Sequence, residues 1–271
     1  MRYALKIMSI RIVQVDAFTN RPFAGNPAAV CILQEPRPDQ WMRDVAREMN
    51  LSETAFLTPQ DDGYNLRWFT PAVEVDLCGH ATVASAHVLW QDRHLPEGQQ
   101  ARFHTRSGLL TADRRGEWIE LDFPAKIALP AETPPELLPA LGVAQARFVG
   151  RSAFDYLVEV DSEETLRGLT PDQTSLKKVP VRGVIVTARS ATPEFDFVSR
   201  FFAPASGIDE DPVTGSSHTA LGPYWGEQLG KSELTAYQAS ARGGVVRVRL
   251  AGERVVLGGQ AVTVMTGELL A

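Results

Sequence analysis

Apolar and polar residues alternate through SIRIVQVDAF (residues 9–18), the period-two pattern of a half-buried strand. A glycine-proline turn and a second apolar run follow in RPFAGNPAAVCIL, which predicts a turn and another strand. The spacing then changes. Trp41, Met42, Val45 and Met49 recur at helical intervals, and Asn50 stands where a left-handed stop belongs, so RPDQWMRDVAREMN predicts a helix. SETAFLT and YNLRWFT predict short strands, HATVASAHVLWQDR a helix, and ARFHTRS, LLTADRR and WIELDFP three further strands. The Pro- and Ala-rich AKIALPAETPPELLP reads as a linker. The second half has the same style. RFVGRS, DYLVEV, RGVIVTA and FDFVSRFFAP predict strands, PPELLPALG, SEETLRGL and SSHTALGPYWGEQLG helices, and four more strand-like pieces close the chain. Many strands and few helices in each half predict an α+β protein of two similar domains, 8–124 and 130–259, joined near residues 125–135. A last strand, 260–271, is expected to return to the first domain.

Composition narrows the class. The chain has 271 residues, 44% hydrophobic and 22% charged, which is the make-up of a soluble globular protein long enough for two modest cores. The net charge is −6 and no Lys/Arg cluster forms a basic face, so nucleic acid is not an expected partner. No run reaches the roughly 20 apolar residues of a membrane helix. The N-terminus lacks a signal-peptide pattern, and the first seven residues read as a loose extension. Two cysteines, Cys31 and Cys78, fit a reducing cytoplasm and make a disulfide framework an unsuitable reading. No HExxH, CxxC, GxGxxG or GxxxxGK[ST] spacing occurs, so neither a metal site nor a nucleotide cofactor is expected.

Two stretches echo one another. Phe69-Thr70-Pro71 matches Phe202-Ala203-Pro204; an acidic loop follows each; Cys78-Gly79-His80 then lies against Thr214-Gly215-Ser216; and a helix of small residues follows both. Helices made of Ala, Ser, Thr and Val allow a sheet to approach closely and are expected at the domain centres. Their N-termini present unpaired backbone N–H groups after a glycine, which suits a carboxylate. The plainer reading is two ordinary turns before buried helices. Asp209, Glu210 and Asp211 can likewise be helix-capping acids, but at most one is expected to face an anion site, and Asp211 is nearest the turn. Glu53 opens an apolar strand, where a carboxylate is costly unless used or paired. His80 opens a helix, whose dipole favours a neutral imidazole.

The segments DAFTNRPFAGNPAAV, NLSETAFL, RWFTPAVEVDLCGHATVASAHVL and RFFAPASGIDEDPVTGSSHTALGPYW, in this order, resemble the phenazine-biosynthesis F-type (PhzF-like) isomerases over nearly the whole chain. The resemblance implies the diaminopimelate-epimerase-like fold: two domains, each a rolled, mostly antiparallel sheet around a central helix, with the active site between them. It also implies no metal, no organic cofactor and a homodimer. It carries the acid/base to Glu53, further catalytic roles to His80 and Asp211, and a substrate contact to Ser216; the backbone N–H groups near Gly79 and Gly215, read above from the helix starts, are expected to hold the substrate carboxylate with it. The related epimerases and racemases use two thiols; here Thr214 stands opposite Cys78, which disfavours that chemistry. The expected function is a cofactor-independent proton shift on a small carboxylate-bearing substrate. The alternatives are a non-catalytic carboxylate-binding protein, a two-base epimerase and a Cys78–His80 hydrolase.

Overall fold

The structure is a computed structural model and describes residues 9–270, so the expected N-terminal extension lies outside the described residues. The chain forms two compact units. One comprises residues 9–23, Pro27–Leu121 and the segment from Gln260 onward; the other comprises Ala24–Asn26 and Asp122–Gly259.

The first unit contains β1 (Ile10–Ala17), β2 (Asn26–Ile32), α1 (Asp39–Met49), β3 (Glu53–Gln60), β4 (Gly63–Phe69), β5 (Glu74–Val75), α2 (Gly79–Gln91), β6 (Ala101–Thr105), β7 (Gly108–Arg115) and β8 (Trp118–Pro124). Asn50 ends α1 in the left-handed conformation, φ 49°, as its residue type allows. β2 and β3 pair in parallel, and so do β4 and β6; each parallel step needs a crossover, supplied by α1 and α2 respectively. The pairs β3–β4, β4–β5, β6–β7 and β7–β8 are antiparallel.

The second unit contains β9 (Leu129–Pro130), α3 (Leu137–Leu141), β10 (Phe148–Arg151), β11 (Asp155–Glu159), α4 (Glu163–Gly168), α5 (Gln173–Leu176), β12 (Gly183–Arg189), β13 (Phe197–Phe202), α6 (Gly215–Leu229), β14 (Glu233–Gln238), β15 (Gly244–Ala251) and β16 (Arg254–Gly259). β11–β12 is parallel, β12–β13 antiparallel, β13–β14 parallel, and β14–β15 and β15–β16 antiparallel. That is the same succession as β2–β3–β4–β6–β7–β8. The weak sequence echo is therefore a repeat of topology, with α2 and α6 in equivalent places. The strand β17 (Ala261–Leu269) pairs antiparallel with β1.

Both equivalent helices are buried over most of their length because their side chains are small. Ten residues of α2, including Ala81, Ala84, Ser85 and Ala86, are buried, and α2 packs on β1, β3, β7 and β17. α6 packs on β14, β15 and β16. At Gly226 a Cβ would come within 2.4 Å of the Leu250 side-chain tip and 3.0 Å of Lys231 O, so glycine lets this part of α6 approach the sheet closely. Pro223 lies inside α6 and cannot bond Thr219 O; the backbone N–H of Lys126 takes that carbonyl at 3.0 Å. Each helix begins one residue before the expected His80 and Ser216, at Gly79 and Gly215.

The expected linker is built into the second unit. Ala125 N–H donates to Glu253 O, Lys126 is held as described, and β9 pairs with β10. The two units divide at Leu121/Asp122. Proline-rich composition marked an extended backbone, and this one finds partners. Among the described residues no helix is long and apolar enough to cross a membrane.

Candidate active site

Glu53 is the first residue of β3, placed beside Ala28 of β2 by the parallel register. Cys78 is the extended N-cap of α2 (φ −146°, ψ 108°), and its side chain makes no capping bond to the helix backbone. It turns instead to His80, with Sγ 3.5 Å from Nδ1. His80 in turn brings Nε2 to 3.0 Å from Oε2 of Glu53. All three side chains are buried. The 3.0 Å approach is out of line for a ring N–H, so it is an ion-pair contact and not a directed hydrogen bond. Glu53 Oε2 has no other protein partner. It is a buried carboxylate oxygen with an unfilled acceptor position.

Burial alone would pull the His80 pKa down; the negative groups beside it, the Cys78 sulfur and the Glu53 carboxylate, hold it well above the ordinary histidine value. Burial also pushes the Cys78 thiol up to about 11, with the Glu53 charge acting in the same direction and His80 against it. The sulfur and the carboxylate thus oppose one another's charge, and both favour the imidazolium between them. This reverses the expected neutral imidazole: the carboxylate at 3.0 Å outweighs the helix end. Burial likewise works against the thiolate that a Cys78–His80 hydrolase would need.

The same trio answers the search for metal ligands. Glu53, Cys78 and His80 offer an oxygen, a sulfur and a nitrogen within 4.8 Å of one another, a grouping no spacing motif revealed. Such donors suit zinc. Nε2 of His80 lies 3.0 Å from the Glu53 carboxylate and 4.0 Å from Sγ of Cys78, so one nitrogen is within reach of both other donors.

Asp211, Thr214, Gly215 and Ser216 form a second group, within the second unit. The three consecutive acids have three different environments. Asp209 is exposed, Glu210 pairs bidentately with Arg200 at 2.7 and 2.8 Å, and Asp211 accepts hydrogen bonds from Asn26 Nδ2 (2.7 Å) and Thr214 Oγ1 (2.5 Å). Thr214 is the N-cap of α6, as Cys78 is of α2, so the echo aligned the right pair. Its hydroxyl donates to a carboxylate and its N–H to Gln238 Oε1. Ser216 Oγ accepts from Arg182 Nη2 at 3.1 Å. Asn26, Gln238 and Arg182 were not singled out from sequence; Asn26 lies inside one of the quoted motifs, and the other two gave no local signal.

The family model described as "Phenazine biosynthesis-like protein" matches residues 15–267. A curated relative in Halalkalibacterium halodurans, named an uncharacterized isomerase, is 57% identical, with 97% of this chain and 100% of the relative covered. The crystal structure of a PhzF-family phenazine biosynthesis protein from Enterococcus faecalis superposes with a TM-score of 0.92 at 41% identity, covering 97% of this chain and 99% of that one. A probable proline racemase from Agrobacterium radiobacter, at 12% identity and a TM-score of 0.63 over 96% of this chain and 92% of that one, shares the fold.

Proposed function

Since the chain belongs to the phenazine biosynthesis-like (PhzC–PhzF) family and its relatives are named isomerases, we propose that it catalyses a cofactor-independent proton shift on a small carboxylate-bearing substrate, with Glu53 as the group that removes and returns the proton. The observation that carries this reading is the buried Oε2 of Glu53, which faces only an out-of-line imidazole. In this scheme Glu53 accepts a proton from an acidified C–H and delivers it elsewhere along a conjugated system. His80, held protonated by the groups beside it, stabilises negative charge as it develops. Within the second unit, Ser216 and the backbone N–H groups that follow Gly215 bind the substrate carboxylate; the N–H groups that follow Gly79 in the first unit are of the same carboxylate-binding kind. Asp211 orients the turn before α6, a role supported by its bonds to Asn26 and Thr214. Two-base epimerisation is disfavoured because Thr214, the N-cap equivalent of Cys78, carries an alcohol, far too weak an acid to serve as the second thiol.

The test is solvent deuterium exchange. A panel of small unsaturated carboxylates is incubated in deuterated buffer and followed by proton NMR. Glu53→Gln keeps shape but cannot accept the proton, so exchange is expected to fall about 100-fold or more with little change in affinity. Near wild-type exchange in Glu53→Gln would transfer the role of base to Asp211. Binding without exchange in the wild type would favour the non-catalytic carboxylate binder.

A further inference from the structure

Asp155, at the start of β11, is 2% exposed, and its two oxygens accept from Nε and Nη2 of Arg182, the first at 2.9 Å. The arginine is held in other ways too. Its backbone N–H donates to Phe154 O at 3.1 Å, and its guanidinium lies 5.4 and 5.6 Å from the ring centroids of Phe154 and Phe201. The neighbouring Gly183 has no room for a Cβ because Phe201 fills the space at 2.3 Å. A long, flexible side chain is thereby fixed in one orientation. Yet it is not sealed in: 39% of the side chain remains exposed, and Nη1 makes no hydrogen bond among the described residues.

The direction of one hydrogen bond matters most. Arg182 has donors only, so Ser216 Oγ must accept from Nη2 at 3.1 Å. That occupies a lone pair of the hydroxyl and leaves its proton for another acceptor. A second cation is nearby: Lys126 Nζ lies 5.5 Å from the Phe154 ring, its backbone N–H bonds the first half of α6 at Thr219, and it forms no ion pair among the described residues. In a chain of net charge −6, the Phe154 ring thus gathers two cations, Arg182 at 5.4 Å and Lys126 at 5.5 Å from its centroid, a local setting that suits an anion.

We propose that Arg182, fixed by Asp155, is the positioning residue of the substrate-carboxylate receptor: it turns the Ser216 hydroxyl into a donor and adds its own Nη1 and charge to the same carboxylate. This rests on the reading that Ser216 contacts the substrate carboxylate. A purely structural ion pair would have been satisfied by Asp155 alone and would need neither the open Nη1 edge nor the bond to Ser216.

The experiment compares 4-fluorobenzoate with its neutral isostere 4-fluorobenzamide, both titrated by ligand-observed fluorine NMR. The wild type is expected to prefer the acid by about tenfold, the scale of one charge-assisted contact. Arg182→Gln is expected to abolish that preference. Because Arg182→Gln leaves Asp155 buried without its partner, Asp155→Asn/Arg182→Gln is measured alongside it, with thermal melting of each variant. Ser216→Ala is expected to weaken the acid, and adding Arg182→Gln to it is expected to cost much less than Arg182→Gln costs alone. A wild type without acid preference, or either Arg182 variant with the wild-type preference and only a lowered melting temperature, would overturn the proposal. Ser216→Ala without effect on the acid would overturn the underlying assignment of Ser216. Loss in Ser216→Ala with none in Arg182→Gln would overturn the role of Arg182 alone.

Discussion

His218 lies in the second turn of α6, fully buried, with Nδ1 2.8 Å from Thr214 O and Nε2 without a partner. Nδ1 therefore carries the proton and donates, and a second proton would sit on Nε2 with nothing to accept it. Burial pulls its pKa from 6.5 down to about 4, with the Thr214 bond opposing. The sign follows from linkage. A folded-state pKa below the unfolded value means that the unfolded chain binds the extra proton first, so the stabilisation is complete above 6.5 and is lost as pH falls towards 4. Between pH 7 and pH 5 this one group should remove about 2 kcal/mol of stability. His218→Phe keeps a ring beside Phe197, 6.0 Å away, and removes both nitrogens; Thr214 O retains the Ser217 hydroxyl. The variant should lose about 2 kcal/mol less than the wild type over the same pH interval, whatever its stability at pH 7. The chain has two units, so a global melt mixes two transitions. Of the five tryptophans only Trp225 belongs to the second unit, so urea titration of fluorotryptophan-labelled protein reads that unit through one fluorine resonance. Equal losses in the two proteins between pH 7 and pH 5 would refute the argument from the unpartnered Nε2.

Other perturbations follow from the packing and the charges. Gly226→Ala drives a methyl into Leu250 and Lys231 O and should cost about 1–3 kcal/mol in urea unfolding of the second unit. Glu210→Gln breaks the bidentate pair with the largely buried Arg200 and should lower the melting temperature clearly, whereas Asp209→Asn, at an exposed site, should leave it unchanged. Burial pushes the Cys31 thiol from 9.0 up to about 12, so its stabilising effect is complete below pH 9 and is lost as pH rises towards 12; Cys31→Ala should show a shallower loss of stability between pH 9 and pH 10.5. Native Cys31 should also resist thiol reagents until the first unit unfolds, and rapid labelling in buffer would contradict its burial.

Sequence patterns revealed what is decided locally. Periodicity in residues 9–18 and 37–50, the left-handed stop at Asn50 and the small-residue helices all reappear in the fold. Features settled by distant partners were not legible. Nothing in the composition of residues 125–130 indicated that Glu253 and Thr219 would receive their N–H groups. Pro223 breaks a local helix rule, and its remedy comes from Lys126. Cys78 and His80 are neighbours in sequence, but their carboxylate arrives through the parallel pairing that sets Glu53 beside Ala28. His80 was expected to be neutral because the helix end is local and Glu53 is not. Arg182 was invisible for the same reason: its partners Asp155 and Ser216 lie 27 and 34 residues away.

The pairing of β1 with β17 imposes an order on biosynthesis. Ile10 meets Leu269 and Ala17 meets Ala261, and the whole stretch Asp122–Gly259 is translated between them. During elongation the first unit must wait with the β1 edge open, while the later-made second unit already has every strand from β9 to β16. The half that leaves the ribosome first is thus the half that finishes last. Until β17 emerges, the largely buried β1 presents a hydrophobic pairing edge to any other chain nearby, and that interval is when nascent copies are most exposed to misassembly and most dependent on chaperones.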